Sequence, residues 1–125
     1  MTERSITFVV RGPPVPKARA RAGKNGAHYT PRETRDYEMH CKVTALGACL
    51  KGAWPVADGP VAVTIRCYFP DARRRDLDNC AKSATDACNG VLWVDDSQIR
   101  DLHVHGAIDR EWPRLEMTVR TMGEE

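Results

Sequence analysis

Four aspartates constrain this chain more than any other feature. Arg73-Arg74-Arg75-Asp76-Leu77-Asp78-Asn79 runs three arginines straight into an Asp-x-Asp, and Lys82 follows one helical turn after Asp78. Asp95-Asp96 arrives after a short helical segment and an apolar run. Carboxylates held together repel one another, and at an effective dielectric of ~20 two of them ~4 Å apart cost about 4 kcal/mol. A fold that gathers them needs a compensating cation, and hard divalent ions such as Mg²⁺ prefer oxygen ligands. The arginine run suits a polyanion, because guanidinium offers phosphate oxygens a rigid fork of donors. Acid for a metal beside base for a phosphate reads as phosphodiester chemistry.

At 125 residues the chain is expected to be one domain, 1–125, with a single core. Its 42% hydrophobic and 29% charged content excludes a disordered chain. Net charge is only +2, so a nucleic-acid surface has to come from local segregation of charge. Arg11, Lys17, Arg19, Arg21 and Lys24 follow one another with no acid between them, which tilts this loop toward phosphate contact rather than mere solvation. Cys41, Cys49, Cys67, Cys80 and Cys88 form no Cys-x-x-Cys pair and are expected as small buried hydrophobes in a reducing cytoplasm. The N-terminus lacks a secretory apolar stretch, and no apolar run reaches the ~20 residues of a membrane span. His103, His105 and a cysteine match no structural zinc spacing, so the histidines read as a solvated strand face.

Ile6, Phe8 and Val10 alternate with Thr7, Val9 and Arg11, which predicts a first strand with one apolar face. Gly12-Pro13-Pro14 ends it, and the aperiodic stretch to Tyr29 is expected as loop. Thr30 as N-cap, Pro31 at the first helical position and Glu33 as capping-box partner predict a helix start. Tyr37, Cys41, Ala45 and Ala48 mark one apolar side, and Met39, Val43, Leu46 and Leu50 an adjoining one. The combined face suits packing on a sheet, and Gly52 and Pro55 close the helix. Strict alternation over Val61–Phe69 predicts a half-buried strand. Asp76 or Asp78 can cap a second helix that runs to about Asn89-Gly90, with a slim face of Cys80, Ala84, Ala87 and Cys88. Val91–Val94 reads as a short buried strand. Leu102–Ile108 and Leu115–Val119 read as two strands joined by a hairpin around Glu111-Trp112-Pro113. An α+β fold follows, with a mixed sheet of about four to five strands and two helices packed on one face.

Helix capping alone accounts for Asp76 and Asp78, and a surface ion pair worth ~0.5 kcal/mol accounts for Lys82 with Asp86. A lone Asp-x-Asp therefore carries little weight. Adding Asp95-Asp96, fixed at the end of a buried run, strengthens the metal reading. Asp76-Leu77-Asp78-Asn79-Cys80 lacks the further ligands and glycine of a calcium-binding EF-hand loop. No glycine-rich Walker phosphate loop is present.

Arg73–Asn79, then Lys82, Asp86 and Asn89-Gly90, then Trp93-Val94-Asp95-Asp96-Ser97-Gln98, closely resembles the RusA-like Holliday junction resolvases of phage and prophage type. The resemblance is most specific over roughly 68–104. It extends to Pro14-Val15-Pro16-Lys17 with Tyr29-Thr30-Pro31 and to the closing strand. It implies a crossover junction endodeoxyribonuclease active in DNA recombination and repair, with catalytic carboxylates at Asp76, Asp78 and Asp96 and a catalytic lysine at Lys82. Asp76, Asp78 and Asp96 would hold Mg²⁺, with Mn²⁺ able to substitute, and Asp95 is a further candidate ligand. Arg73, Arg74, Arg75, Lys17, Arg19, Arg21 and Lys24 are the expected DNA contacts. The expected partners are four-way DNA junctions and a second copy in a homodimer, with no membrane and no small-molecule cofactor. The location implied is the cytoplasm of a bacterial or phage-infected cell. Cys80 and Cys88 depart from the larger aliphatic residues common in the family. The alternative is a non-catalytic binder of branched DNA with the same fold.

Overall fold

A computed structural model of the chain describes residues 3–18, 21–22, 28–29 and 31–123. Along the sequence come β1 (Ser5–Arg11), the short β2 (Arg21–Ala22) and β3 (His28–Tyr29), α1 (Arg32–Gly52), β4 (Val61–Phe69) and α2 (Leu77–Ala87). A 3₁₀ turn (Asp96–Gln98), β5 (Ile99–Ile108) and β6 (Arg114–Thr121) complete the order. Four strands form one mixed sheet in the order β1-β6-β4-β5, and β2 pairs with β3 alone. Among the described strands of this sheet, only β4 and β5 run parallel.

Register explains the core. Ile6, Phe8 and Val10 stand opposite Val119, Met117 and Leu115, which in turn face Val63, Ile65 and Cys67 across β4. Period-two alternation puts all nine on one face, and all are buried. Tyr37, Cys41, Ala45 and Cys49 of α1 and Cys80, Ala81, Ala84 and Ala87 of α2 join the same core. The expected arrangement, a mixed sheet with two helices on one face, is borne out with four strands. All five cysteines are free and buried, as their spacing suggested. No described helix is long and apolar enough to cross a membrane.

Several local expectations are corrected. β5 and β6 do not form a hairpin, because they lie on opposite sides of β4 and the 109–113 connection crosses the end of that strand. The Asp109 N–H donates to the Phe69 carbonyl at 2.8 Å on the way. Val91–Val94 is not a strand. Val91 and Leu92 donate to the Cys88 carbonyl, Gly90 turns with φ 79°, and Trp93 touches neighbouring backbone only by isolated bridges. A short apolar run is buried either way, so periodicity alone does not separate the two. Pro31 occupies the N-cap of α1 rather than its first helical position, with no side-chain cap, while Thr30 lies outside the described residues. Finally, Met39, Val43, Leu46 and Leu50 are 59%, 58%, 43% and 84% exposed, so only the Tyr37–Cys49 stripe of α1 meets the sheet.

Candidate active site

The chain leaves β4 at Phe69 and is turned back by its own arginine. Arg75 pairs with Asp71 at 2.8 Å, donates to the carbonyls of Asp71 (3.1 Å) and Arg73 (2.9 Å), and lies over the Phe69 ring at 4.8 Å. That guanidinium, with the Arg73 N–H, holds the Asp71 carboxyl below its usual range. The braced loop delivers Asp76 as N-cap of α2, where its carboxylate accepts from the Asn79 N–H (3.3 Å) and from Asn79 Nδ2 (3.2 Å). Asp78 sits exposed in the first turn. Arg74, Arg75, Asp76, Leu77 and Asp78 line an open cavity of ≈ 520 Å³. A smaller recess of ≈ 280 Å³ between Trp54, Val56 and Met122 contains none of these groups.

The second acidic pair is fixed by Gln98. Its Oε1 accepts from the N–H groups of Val94 (2.8 Å) and Asp95 (2.9 Å), and its Nε2 donates to the carbonyls of Ala57 (2.9 Å) and Gly59 (2.8 Å). Asp95 caps the 3₁₀ turn by accepting from the Ser97 N–H at 3.0 Å, and hydrogen bonding by Ser97 lowers its carboxyl pKa. Asp96 begins that turn and reaches toward the middle of α2. Lys82 Nζ stands 3.9 Å from Asp96 Oδ2 and 3.1 Å from Asp86 Oδ1. Partial burial, followed by the neighbouring Asp86 carboxyl, raises the Asp96 pKa despite the opposing charge of Lys82.

Among the described residues, no three His, Cys, Asp or Glu side chains stand close enough to hold one metal ion. The expected convergence of Asp76, Asp78 and Asp96 is therefore not formed within the single chain. The ammonium of Lys82 stands beside Asp96 instead, at 3.9 Å. In donor chemistry the set still fits a hard divalent cation. All the candidates are carboxylate oxygens, Asp76 and Asp78 face open space, and each carboxylate has lone pairs beyond those already used.

The expected DNA contacts divide. Arg73 and Arg74 are exposed beside the cavity, whereas Arg75 is committed to the loop. Lys17 is also engaged, with its ammonium 2.6 Å from Glu38 Oε2 and 3.4 Å from Asp86 Oδ2. Only the backbone of Arg21 is described, and Arg19 and Lys24 lie outside the described residues. Sequence reasoning missed Glu38 and gave Asp86 a surface role. No local spacing pairs either with a lysine so far away along the chain.

Comparison with known proteins converges on one family. The family model "Endodeoxyribonuclease RusA" matches residues 11–120. Over 67 residues the chain is 45% identical to the crossover junction endodeoxyribonuclease RusA of Escherichia coli strain K12. It is 43% identical over the same length to that of Enterobacteria phage 82. These matches cover 53% of this chain and 56% of each relative, so the chain spans about half the length of the curated relatives it matches.

Proposed function

Because the chain belongs to the endodeoxyribonuclease RusA family, we propose that it is a Mg²⁺-dependent endonuclease resolving four-way DNA junctions by paired phosphodiester hydrolysis. The observation that carries this reading is Lys82. Its ammonium is held beside Asp96, and it follows by one turn of α2 the Asp78 that lines a cavity with Asp76 and Arg74. Asp76, Asp78 and Asp96 would hold Mg²⁺, with Mn²⁺ able to substitute and Asp95 a further candidate oxygen. Bound there, the ion supplies a water of lowered pKa and stabilises the leaving oxygen.

The chain's own groups do the rest. Lys82 neutralises charge that develops on the phosphate, in a place where a fixed cation needs no reorganisation. Arg73 and Arg74 track the backbone and make binding fall steeply with salt. Resolving a junction takes two symmetric nicks, which a twofold homodimer provides through two identical sites. Such an enzyme works where the DNA is, in the cytoplasm of a bacterial or phage-infected cell.

The alternative reading is a non-catalytic binder of branched DNA with the same fold. One assay separates the two: purified protein with a synthetic mobile junction, in Mg²⁺ or in EDTA. Paired nicks in Mg²⁺ alone are expected, and binding without nicks would leave the binder. Asp78→Asn should abolish cleavage by more than the ~10–100-fold that outer-shell changes cost a metal site, while leaving junction affinity intact. Cleavage by that variant near the wild-type rate would remove Asp78 from the site.

A further inference from the structure

We propose that Asp86 is a positioning residue for the same site, one that holds the Lys82 ammonium beside Asp96; the inference rests on the nuclease reading above. Asp86 lies one turn after Lys82 on α2 and divides its carboxylate between two lysines. Oδ1 is 3.1 Å from Lys82 Nζ, and Oδ2 is 3.4 Å from Lys17 Nζ. An i,i+4 pair on an open helix face contributes little and leaves its lysine free to wander. Here the side chain of Lys82 is 56% exposed, but that of Asp86 is only 23% exposed and is fixed from its far side.

That fixing comes from a strap. The Lys17 N–H donates to the Asn79 carbonyl at 2.8 Å, Ser83 Oγ donates to the Val15 carbonyl at 2.6 Å, and the Ala18 N–H donates to Thr34 Oγ1 at 3.3 Å. The 15–18 segment is thereby laid across both helices, and Lys17 is clamped between Glu38 of α1 and Asp86 of α2. Two ammonium groups then face three carboxylates in one row: Glu38, Lys17, Asp86, Lys82, Asp96. Each cation in the row has an acid on both sides.

Two consequences follow. Asp86 draws Lys82 along the helix toward Asp96, so the ammonium waits beside the carboxylate expected to meet the ion. Lys17 occupies the other oxygen of Asp86, which keeps that carboxylate from competing for the ion. Asp86 touches neither substrate nor metal in this scheme, and its effect passes through Lys82.

The test compares wild type, Asp86→Asn, Asp86→Glu, Lys82→Ala and the Asp86→Asn/Lys82→Ala double variant. Each is assayed for single-turnover junction cleavage in Mg²⁺ and for junction affinity in EDTA. Asp86→Asn is expected to slow cleavage ~10–100-fold, in the range of outer-shell changes at metal sites, with affinity within about twofold of wild type. Asp86→Glu, which keeps the charge and moves it by one methylene, should fall between, and it replaces Asp86→Asn if that variant does not fold. In the Lys82→Ala background the Asp86 change should add nothing, because the two act as one unit. Wild-type nicking with an indifferent Asp86→Asn (or, where that variant does not fold, an indifferent Asp86→Glu), or a fully additive double variant, overturns this inference alone. Absence of nicks from wild type overturns the nuclease reading and this role with it.

Discussion

Arg114 shows how much a single outward-facing position can hold. Alternation marks it only as a polar member of β6, yet its guanidinium lies between the rings of Tyr68 (3.8 Å) and Trp112 (4.0 Å) and pairs with Asp109 and Glu116, each at 2.9 Å. It thereby pins the connection that crosses the end of β4. Asp109 answers with a carboxyl held below its usual range, first by Arg114 and then by the Trp112 N–H. A depressed carboxyl pKa contributes stability that is fully present above the ordinary value of ~3.9 and is lost as pH falls through the folded value. Asp71, lowered by Arg75, has the same sign. Arg114→Met should therefore lower Tm at pH 7, and the gap to wild type should shrink as pH is taken below ~4. Calorimetry over pH 7 to 3 checks it, and a gap independent of pH would show that ring packing alone fixes Arg114. The alternation that made the core legible says nothing of such a residue, because its partners come from three separate stretches of chain.

At the scale of elements, α2 carries the site and its seat depends on small residues. Gly106 of β5 faces the first residue of α2, and a Cβ there would stand 3.0 Å from Leu77 Cδ2 and 3.2 Å from Cδ1. Cys80, Ala81 and Ala84 continue the close approach, so the departures toward cysteine suit a helix pressed against its sheet. Gly106→Val should push Leu77 aside, shift the turn bearing Asp76 and Asp78, and cost about 1–3 kcal/mol as overpacking. Gly106→Ala, which meets only the ends of a flexible side chain, should cost less. Urea unfolding orders the two, and equal stability of both variants with wild type would mean that the helix does not need the bare glycine. The cap at Asp76, the span of α2 and the Asp78–Lys82–Asp86 stripe were legible because they are local: a capping residue, a C-terminal Asn-Gly and four-residue spacing. Neighbour choice was not. Alternation marks a strand without naming the strand beside it, so the seating of β4 between β5 and β6 is a property of the whole sheet. The Lys17–Asp86 contact is hidden for the same reason. It joins a loop to a helix across the molecule, where no periodicity reaches.

At the scale of the whole molecule, the proposed homodimer needs a surface, and the sheet order rules out β4. β4 is paired on both sides, so it has no edge to offer a second copy. β5 has one: it is the last strand of the sheet, ten residues long, with Leu102 and Ile108 48% and 50% exposed. A long open edge with apolar side chains invites pairing with another chain. It also follows directly from the 3₁₀ turn that begins at Asp96, so a twofold axis along β5 would bring two sites to either side of one junction. The exposed Met39–Leu50 stripe of α1 is the competing surface, on a helix whose buried side lies against β1 at the far end of the sheet. Sedimentation at assay concentrations should give twice the 14.0 kDa of the chain. Leu102→Lys, which places a charge on the open edge, should return it to 14.0 kDa and convert paired nicks into single ones or none. Leu46→Lys on α1 should leave the dimer intact. The reverse pattern would move the axis to α1, and a wild-type monomer that still makes paired nicks would remove the need for an axis at all.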